Sequence, residues 1–287
     1  MNPQPEATSA NAGQALFWTD VPGQKWAHHH ERLDHLFGLI TDELLARAAP
    51  QPGQSVLDVG CGCGDTALRA ADRVGESGQV EGVDISDVLL AVARRRAAGR
   101  VNVSFTRADA QVQDFAEDRH DLLISRFGLM FFADPVAAFA NLARALKPGS
   151  PLVFATWAPA ADNPWSHVTK SAGMARLGAV PPDPPREPGQ FAFAEPGYVA
   201  GILRDAGLTN IVDETVDTHL VCAGTATDAA DLATSIGPVS RLMRDKNGTE
   251  ADRIAIATAV AKEFARYERA DSVCVPARVH FFRARKG

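Results

Sequence analysis

The sequence predicts an α/β protein built on a doubly wound, mostly parallel sheet, and three observations predict it. Short, nearly continuous apolar runs recur between residues 50 and 157, and segments with helical spacing separate them. The first run leads into a glycine-rich turn, VLDVGCGCGD, from Val56 to Asp65. Buried strands that alternate with helices make a parallel sheet covered on both faces. Glycines at a strand end let the backbone take left-handed angles and let a ligand approach the main chain.

Composition bounds the function. A chain of 287 residues with 46% hydrophobic residues buries a full core, read here as one domain with an insertion. A net charge of -6 and a pI near 5.8 give no general attraction for nucleic acid or anionic membrane. The run Arg94-Arg95-Arg96 reads as a solvated helix face. No apolar run reaches the ~18 residues of a spanning helix. Residues 1–15 lack the basic and apolar regions of a signal peptide and are expected to be a disordered leader. Four cysteines make no disulfide framework in a chain of this size, so a cytoplasmic protein is expected.

The elements follow in order. Residues 16–49 form a helical cover, with Trp18, Trp26, Leu33, Leu36, Phe37, Ile40 and Leu44 at helical spacing from Phe17 to Ala48. His28, His29 and His30 are adjacent, fan around a helix axis and make no metal site. Residues 50–157 form the core. Strands are predicted over Ser55 to Val59, Gln79 to Ile85, Val103 to Ala108, Asp121 to Phe127 and Leu152 to Thr156. Gly75 stops the first intervening helix, Ser86 caps the second, and Asp134-Pro135 starts the third. Residues 158–200 are a proline-stiffened insertion, expected to act as a substrate lid, and 201–287 complete the sheet. A helix begins at Glu195-Pro196, a sixth strand runs from Thr209 to Leu220, and two helices follow, the second from Thr249. A closing strand spans Val273 to Arg283, which makes seven strands in all.

Ligands bind such sheets beyond the carboxyl ends of the strands. Strand one delivers Asp58 and Gly60, Cys61, Gly62 and Gly64; strand two delivers Asp84; strand three delivers Asp109; strand four delivers Ser125, Arg126 and Phe127. Ionised carboxylates only accept hydrogen bonds, so the ligand must present donors. An amine end, a ribose with two hydroxyls and a base with an exocyclic amine fit this layout. S-adenosylmethionine has it, whereas a dinucleotide pyrophosphate would not favour several carboxylates. Cys61 and Cys63 read as small packing residues. Arg126 holds a ligand carboxylate or pairs with Asp121 or Asp134.

These motifs resemble those of the class I S-adenosylmethionine-dependent methyltransferases. VLDVGCGCGD is similar to the first motif, GVDIS (Gly82 to Ser86) to the ribose motif, and RADAQ (Arg107 to Gln111) to the adenine motif. DLLISRFGLMFFADP and LKPGSPLVFATW resemble the fourth- and fifth-strand motifs of the ubiquinone and menaquinone biosynthesis branch. The resemblance implies a Rossmann-like sheet whose closing strand lies antiparallel between strands five and six. It also implies S-adenosylmethionine as cofactor, with Gly60, Gly62 and Gly64 along the methionine portion. Asp84 with Ile85 would hold the ribose, Asp109, Ala110 and Gln111 the adenine, and Trp26 would pack near the cofactor.

The expected reaction is methyl transfer to a small apolar or aromatic molecule, with oxygen slightly favoured over carbon or nitrogen. Phe127, Met130, Phe131, Trp165 and Phe191 are the expected substrate pocket, and His167 the candidate base, since imidazole titrates near neutral pH. The alternatives are a noncatalytic S-adenosylmethionine-binding protein and an NAD-dependent oxidoreductase. No metal, nucleic acid or membrane partner is expected, and a homodimer is left open.

Overall fold

The structure, a computed structural model, describes residues 11–182 and 184–287. The first ten residues of the expected leader lie outside them. Residues 12–15 are not a loose leader but open the first helix. The cover read as one helical stretch is four short helices, α1 (Ala12–Thr19), α2 (Val21–His28), α3 (His30–Leu36) and α4 (Gly38–Ala48). The chain turns where Asp20, His29 and Phe37 leave helical geometry. Periodicity survives the later breaks because α3 buries Leu33 and Leu36 and α4 buries Ile40, Leu44 and Leu45.

The core then alternates as β1 (Ser55–Val59), α5 (Asp65–Val74), β2 (Gln79–Asp84), α6 (Asp87–Arg96), β3 (Val103–Arg107), β4 (Leu122–Arg126), α7 (Pro135–Ala145) and β5 (Pro151–Trp157). Local chemistry sets the boundaries. Gly75 ends α5 at φ 67°, the Ser86 hydroxyl accepts the Leu89 N–H, and the Asp134 carboxylate accepts the Ala137 N–H. The remaining elements are α8 (Pro164–Leu177), α9 (Pro196–Asp205), β6 (Leu208–Ala223), α10 (Ala226–Ser235), α11 (Pro238–Asp245), α12 (Glu250–Phe264) and β7 (Ser272–Lys286). Thr225 and Thr249 start α10 and α12 with full capping boxes.

The seven strands form one sheet in the order β3-β2-β1-β4-β5-β7-β6. β1 to β5 are parallel neighbours, and β7 lies antiparallel to both β5 and β6, as expected. β4, β5 and β6 are covered by α4, and β1 and β2 by α5. Where β7 lies between two strands, Val279, His280, Phe281 and Phe282 are buried in succession; from Val273 to Ala277 burial alternates. The difference marks where cover changes from two faces to one.

Two features beyond the sequence reading position the site. β6 and β7 are longer than expected: Asp217 to Ala223 pair with Ser272 to Arg278, past Trp157, the last residue of β5. This ribbon therefore extends beyond the carboxyl ends of the parallel strands. The insertion after β5 is also no continuous loop, since α8 occupies fourteen of its residues and packs against α10, α11 and α12. Three helices, rather than two, connect β6 to β7. The ribbon and its four helices form a roof at the same end of the sheet as the glycine turn. Lys25 of α2 reaches Ser240 of α11 at 2.9 Å, and Arg32 of α3 donates to the Asp228 carbonyl of α10 at 2.7 Å, joining the cover to this roof.

Candidate active site

The glycine turn follows directly from the sheet. The N–H groups of Gly60 and Cys61 both donate to the Val83 carbonyl of β2, and Gly60, Gly62 and Gly64 take φ of 69°, 53° and 88°. At Gly60 a Cβ would lie 2.6 Å from Gly128 Cα, so the turn after β1 and the turn after β4 touch backbone to backbone. Ser125 fixes that contact. Its hydroxyl donates to the Val59 carbonyl at 2.6 Å and accepts the Gly128 N–H at 3.3 Å. Its hydrogen bonds serve the fold of the turn rather than an open cleft.

Asp84 ends β2 as expected. Its two oxygens accept the N–H of Gly62 at 2.8 Å and of Ser86 at 2.9 Å. Burial raises its carboxyl above the usual range, while the Ser86 and Gly62 amides oppose the rise. Each oxygen keeps a second lone pair, so two hydroxyl donors remain acceptable. Ile85 beside it is half-buried. Asp109 lies two residues past β3. One of its oxygens accepts the Gln111 N–H, and Ala110 and Gln111 are buried beneath it.

Asp58 is different. It is fully buried within β1, and neither carboxylate oxygen has a hydrogen-bond partner among the described residues. The Ala67 N–H in the first turn of α5 favours its charge without reaching hydrogen-bond geometry. Burial, more than any neighbour, pushes this carboxyl up to about 7; Arg126 pulls it down, and Asp65 and Asp84 add to the rise. Desolvated, unpaired carboxylates are costly, and such groups concentrate at functional sites.

Arg126 pairs with neither Asp121 nor Asp134. Asp121 is held by Lys147 at 2.6 Å, and Asp134 caps α7. Arg126 instead meets Asp65 at 2.9 Å and donates to Thr41 of α4, and its guanidinium lies over the Phe37 ring at 5.3 Å. The β4 end is thereby locked to α5 and α4.

An aromatic wall rises beside the glycine turn. Phe127 holds φ 64°, strained for a side-chain-bearing residue, and this directs its ring flat onto Trp157, 4.3 Å between centroids. Phe37 meets both rings at 5.7 and 6.1 Å, Trp26 stacks on Phe37 at 6.1 Å, and Trp18 joins Trp26 to Phe131. Phe127 and Phe131, read from the sequence as pocket residues, and Trp26, read as a cofactor neighbour, are thus joined in one aromatic cluster. Trp157, Phe37 and Trp18 were missed as members, although Trp157 ends a parallel strand and so satisfies the carboxyl-end rule.

Other expected pocket residues lie elsewhere. Trp165 stacks on Phe264 of α12 at 5.6 Å, inside the helical roof. Met130 is core, its carbonyl accepting the Gly189 N–H, and this brings the insertion over the turn after β4. Phe191 is partly buried against the core. His167 is half-buried on α8, and nothing among the described residues ties its ring to the glycine turn. Burial raises the Cys61 thiol and pushes Cys63 up to about 12, which suits packing rather than thiolate chemistry.

Comparison with known proteins fits this geometry. Residues 56–149 match the family described as a methyltransferase domain. The ubiquinone/menaquinone biosynthesis C-methyltransferase of Shewanella piezotolerans is 39% identical over 109 residues, covering 37% of this chain and 43% of that protein. The 2-phytyl-1,4-naphtoquinone methyltransferase of Nostoc is 39% identical over 103 residues, covering 35% of this chain and 45% of the relative. The match thus spans less than half the length of these relatives. Among solved structures, Haemonchus contortus phosphoethanolamine N-methyltransferase 2 with S-adenosyl-L-methionine superposes with a TM-score of 0.59 at 20% identity, covering 98% of this chain and 60% of that one. The [4+2]-cyclase SpnF gives 0.52 at 22% identity, covering 86% and 80%. A likeness at such identity shows the fold alone, and a fold does not fix a reaction.

Residues 56–149 thus match a methyltransferase domain, carried on a Rossmann-like sheet. The core resembles the ubiquinone/menaquinone biosynthesis C-methyltransferase and the naphtoquinone methyltransferase named above, and the expected preference for oxygen finds no support among these relatives. No helix among the described residues is long and apolar enough to cross a membrane.

Proposed function

We propose that the chain transfers the methyl group of S-adenosylmethionine to a small, flat, apolar acceptor held against the aromatic wall. The observation that carries this reading is the placement of the Phe127–Trp157 stack immediately beside the glycine turn. The donor set fits the cofactor, because Asp84 and Asp109 offer acceptors to ribose hydroxyls and to an exocyclic amine, and the turn offers bare backbone. When bound, S-adenosylmethionine supplies a methyl group already activated on a sulfonium sulfur.

The chain contributes binding and orientation. Asp84, Asp109 and the glycine turn fix one reactant, and the aromatic wall fixes the plane of the other; such alignment is worth several kcal/mol, of the order of the ~7–11 available to well-oriented reactions. The ring faces carry partial negative charge that suits a nearby sulfonium. Carbon is the favoured acceptor atom, since the Shewanella relative is named a ubiquinone/menaquinone biosynthesis C-methyltransferase and the Nostoc relative a naphtoquinone methyltransferase, and a reduced quinone ring has the flatness the wall favours.

The test is a panel of naphthoquinols, phenols and amines incubated with S-adenosylmethionine, with release of S-adenosylhomocysteine as the readout. Turnover is expected with flat ring acceptors and is lost in Asp84→Ala. Cofactor binding with no release across the panel would refute methyl transfer, and binding of NAD in place of the cofactor would refute the site.

A further inference from the structure

The segment that opens the described chain sits inside the cleft just assigned. Asn11 is 4% exposed although it precedes the first helix. Its carboxamide does not cap α1. Instead, Nδ2 donates to Asp109 Oδ1 at 2.8 Å and to Gln111 Oε1 at 3.1 Å, while Oδ1 accepts the Ala133 N–H at 2.9 Å. A side-by-side N–H donor and acceptor is also what the edge of an adenine ring presents.

The two helices that follow are seated on the ribose side. The Ser86 hydroxyl, two residues past Asp84, donates to the Trp18 carbonyl at 2.6 Å, and both α1 and α2 pack on α6. The corner between them is tight: a Cβ on Gly23 would lie 1.7 Å from that same Trp18 carbonyl oxygen. A surface groove of about 510 Å³ lies between α7 and α9.

We infer that the Asn11 end of residues 11–28 is a self-inhibitory latch, in which the Asn11 carboxamide takes the place of the cofactor's adenine edge at Asp109 and must be displaced for the cofactor to enter, while Trp18 and Trp26 stay in the aromatic wall. The inference rests on reading the cleft as an S-adenosylmethionine site, and it names that site's regulation. A latch closed nine-tenths of the time weakens apparent affinity about tenfold, because only the open fraction binds. Whatever holds Asn11 away from Asp109 therefore switches the enzyme on.

The experiment is calorimetric titration of S-adenosylhomocysteine into the full chain and into Asn11→Ala and Gly23→Ala, with amide hydrogen exchange of residues 12–28 followed in the ligand-free proteins. Asn11→Ala removes the mimic, and Gly23→Ala forces the Trp18 carbonyl off Ser86 without touching Asp109. Both variants are expected to exchange faster over α1 and to bind about threefold to tenfold more tightly. Weaker binding in both would make the segment a clamp over bound cofactor and overturn the inference, as would unchanged affinity in both. Those outcomes leave the cofactor assignment standing, whereas no heat with any of the three proteins would sink the cofactor assignment itself.

Discussion

Replacing Asp58 with asparagine tests the electrostatics at the heart of the glycine turn. The Asp58 carboxyl is fully buried with a pKa of about 7, against an ordinary value of 3.8 when the chain is unfolded. Between those values the folded state holds a proton that the unfolded state releases. Stability therefore falls as pH rises through that window, by about 1.4 kcal/mol per unit, and levels off above the folded value. From pH 5 to pH 8 this one group removes about 2–3 kcal/mol. A carboxamide cannot ionise, so Asp58→Asn should lose that slope while adding a roughly constant cost for a buried unpaired amide. The assay is urea unfolding at pH 5, 6, 7 and 8, comparing the slopes of stability against pH. Equal slopes in wild type and variant would show that Asp58 does not titrate in this range.

Three further outcomes follow from the same geometry. Gly60→Ala places a Cβ 2.6 Å from Gly128 Cα at φ 69° and should cost at least ~1–2 kcal/mol of backbone strain together with cofactor binding, read by thermal melting and calorimetry. Arg126→Met leaves Asp65 buried without its partner and should destabilise by ~3–5 kcal/mol, an effect that Arg126→Met with Asp65→Asn largely restores; additive losses would refute the coupling. Asp84→Ala should weaken S-adenosylhomocysteine binding at least tenfold while the sheet persists by circular dichroism, and undiminished binding would show that the ribose lies elsewhere.

The legible parts of the molecule were those whose physics is local. Strand periodicity, the proline after Asp134 and the glycine turn are short-range signals, and they place β1 to β5 within a residue or two. Asp84 and Asp109 were legible because a strand end is itself a position in the sequence. The aromatic wall was legible only in part, since Phe37, Phe127 and Trp157 lie far apart in the chain and meet through tertiary packing. Arg126 offered a charge without a partner; Asp121 stands at the opposite end of β4, whereas Asp65 opens α5 beside the end where Arg126 lies.

The roof was misread because its helix α8 begins in a proline-rich stretch, and Pro164 at the first helical turn starts a helix as readily as it stiffens a loop. Asn11 belongs to the part of the chain expected to be disorder. No local pattern says that its carboxamide turns to Asp109, ninety-eight residues away. The glycine turn from Val56 to Asp65 was thus readable as a left-handed turn at a strand end, while what covers it was not.

The most direct test of the central claim is a structure of the chain with S-adenosylhomocysteine bound. The account predicts the methionine portion along Gly60 to Gly64, the ribose on Asp84, the adenine on Asp109 and Gln111 in place of Asn11, and the sulfur facing the Phe127–Trp157 stack. A ligand bound away from the carboxyl ends of β1, β2 and β3, or one that leaves Asp84 and Asp109 untouched, would contradict it.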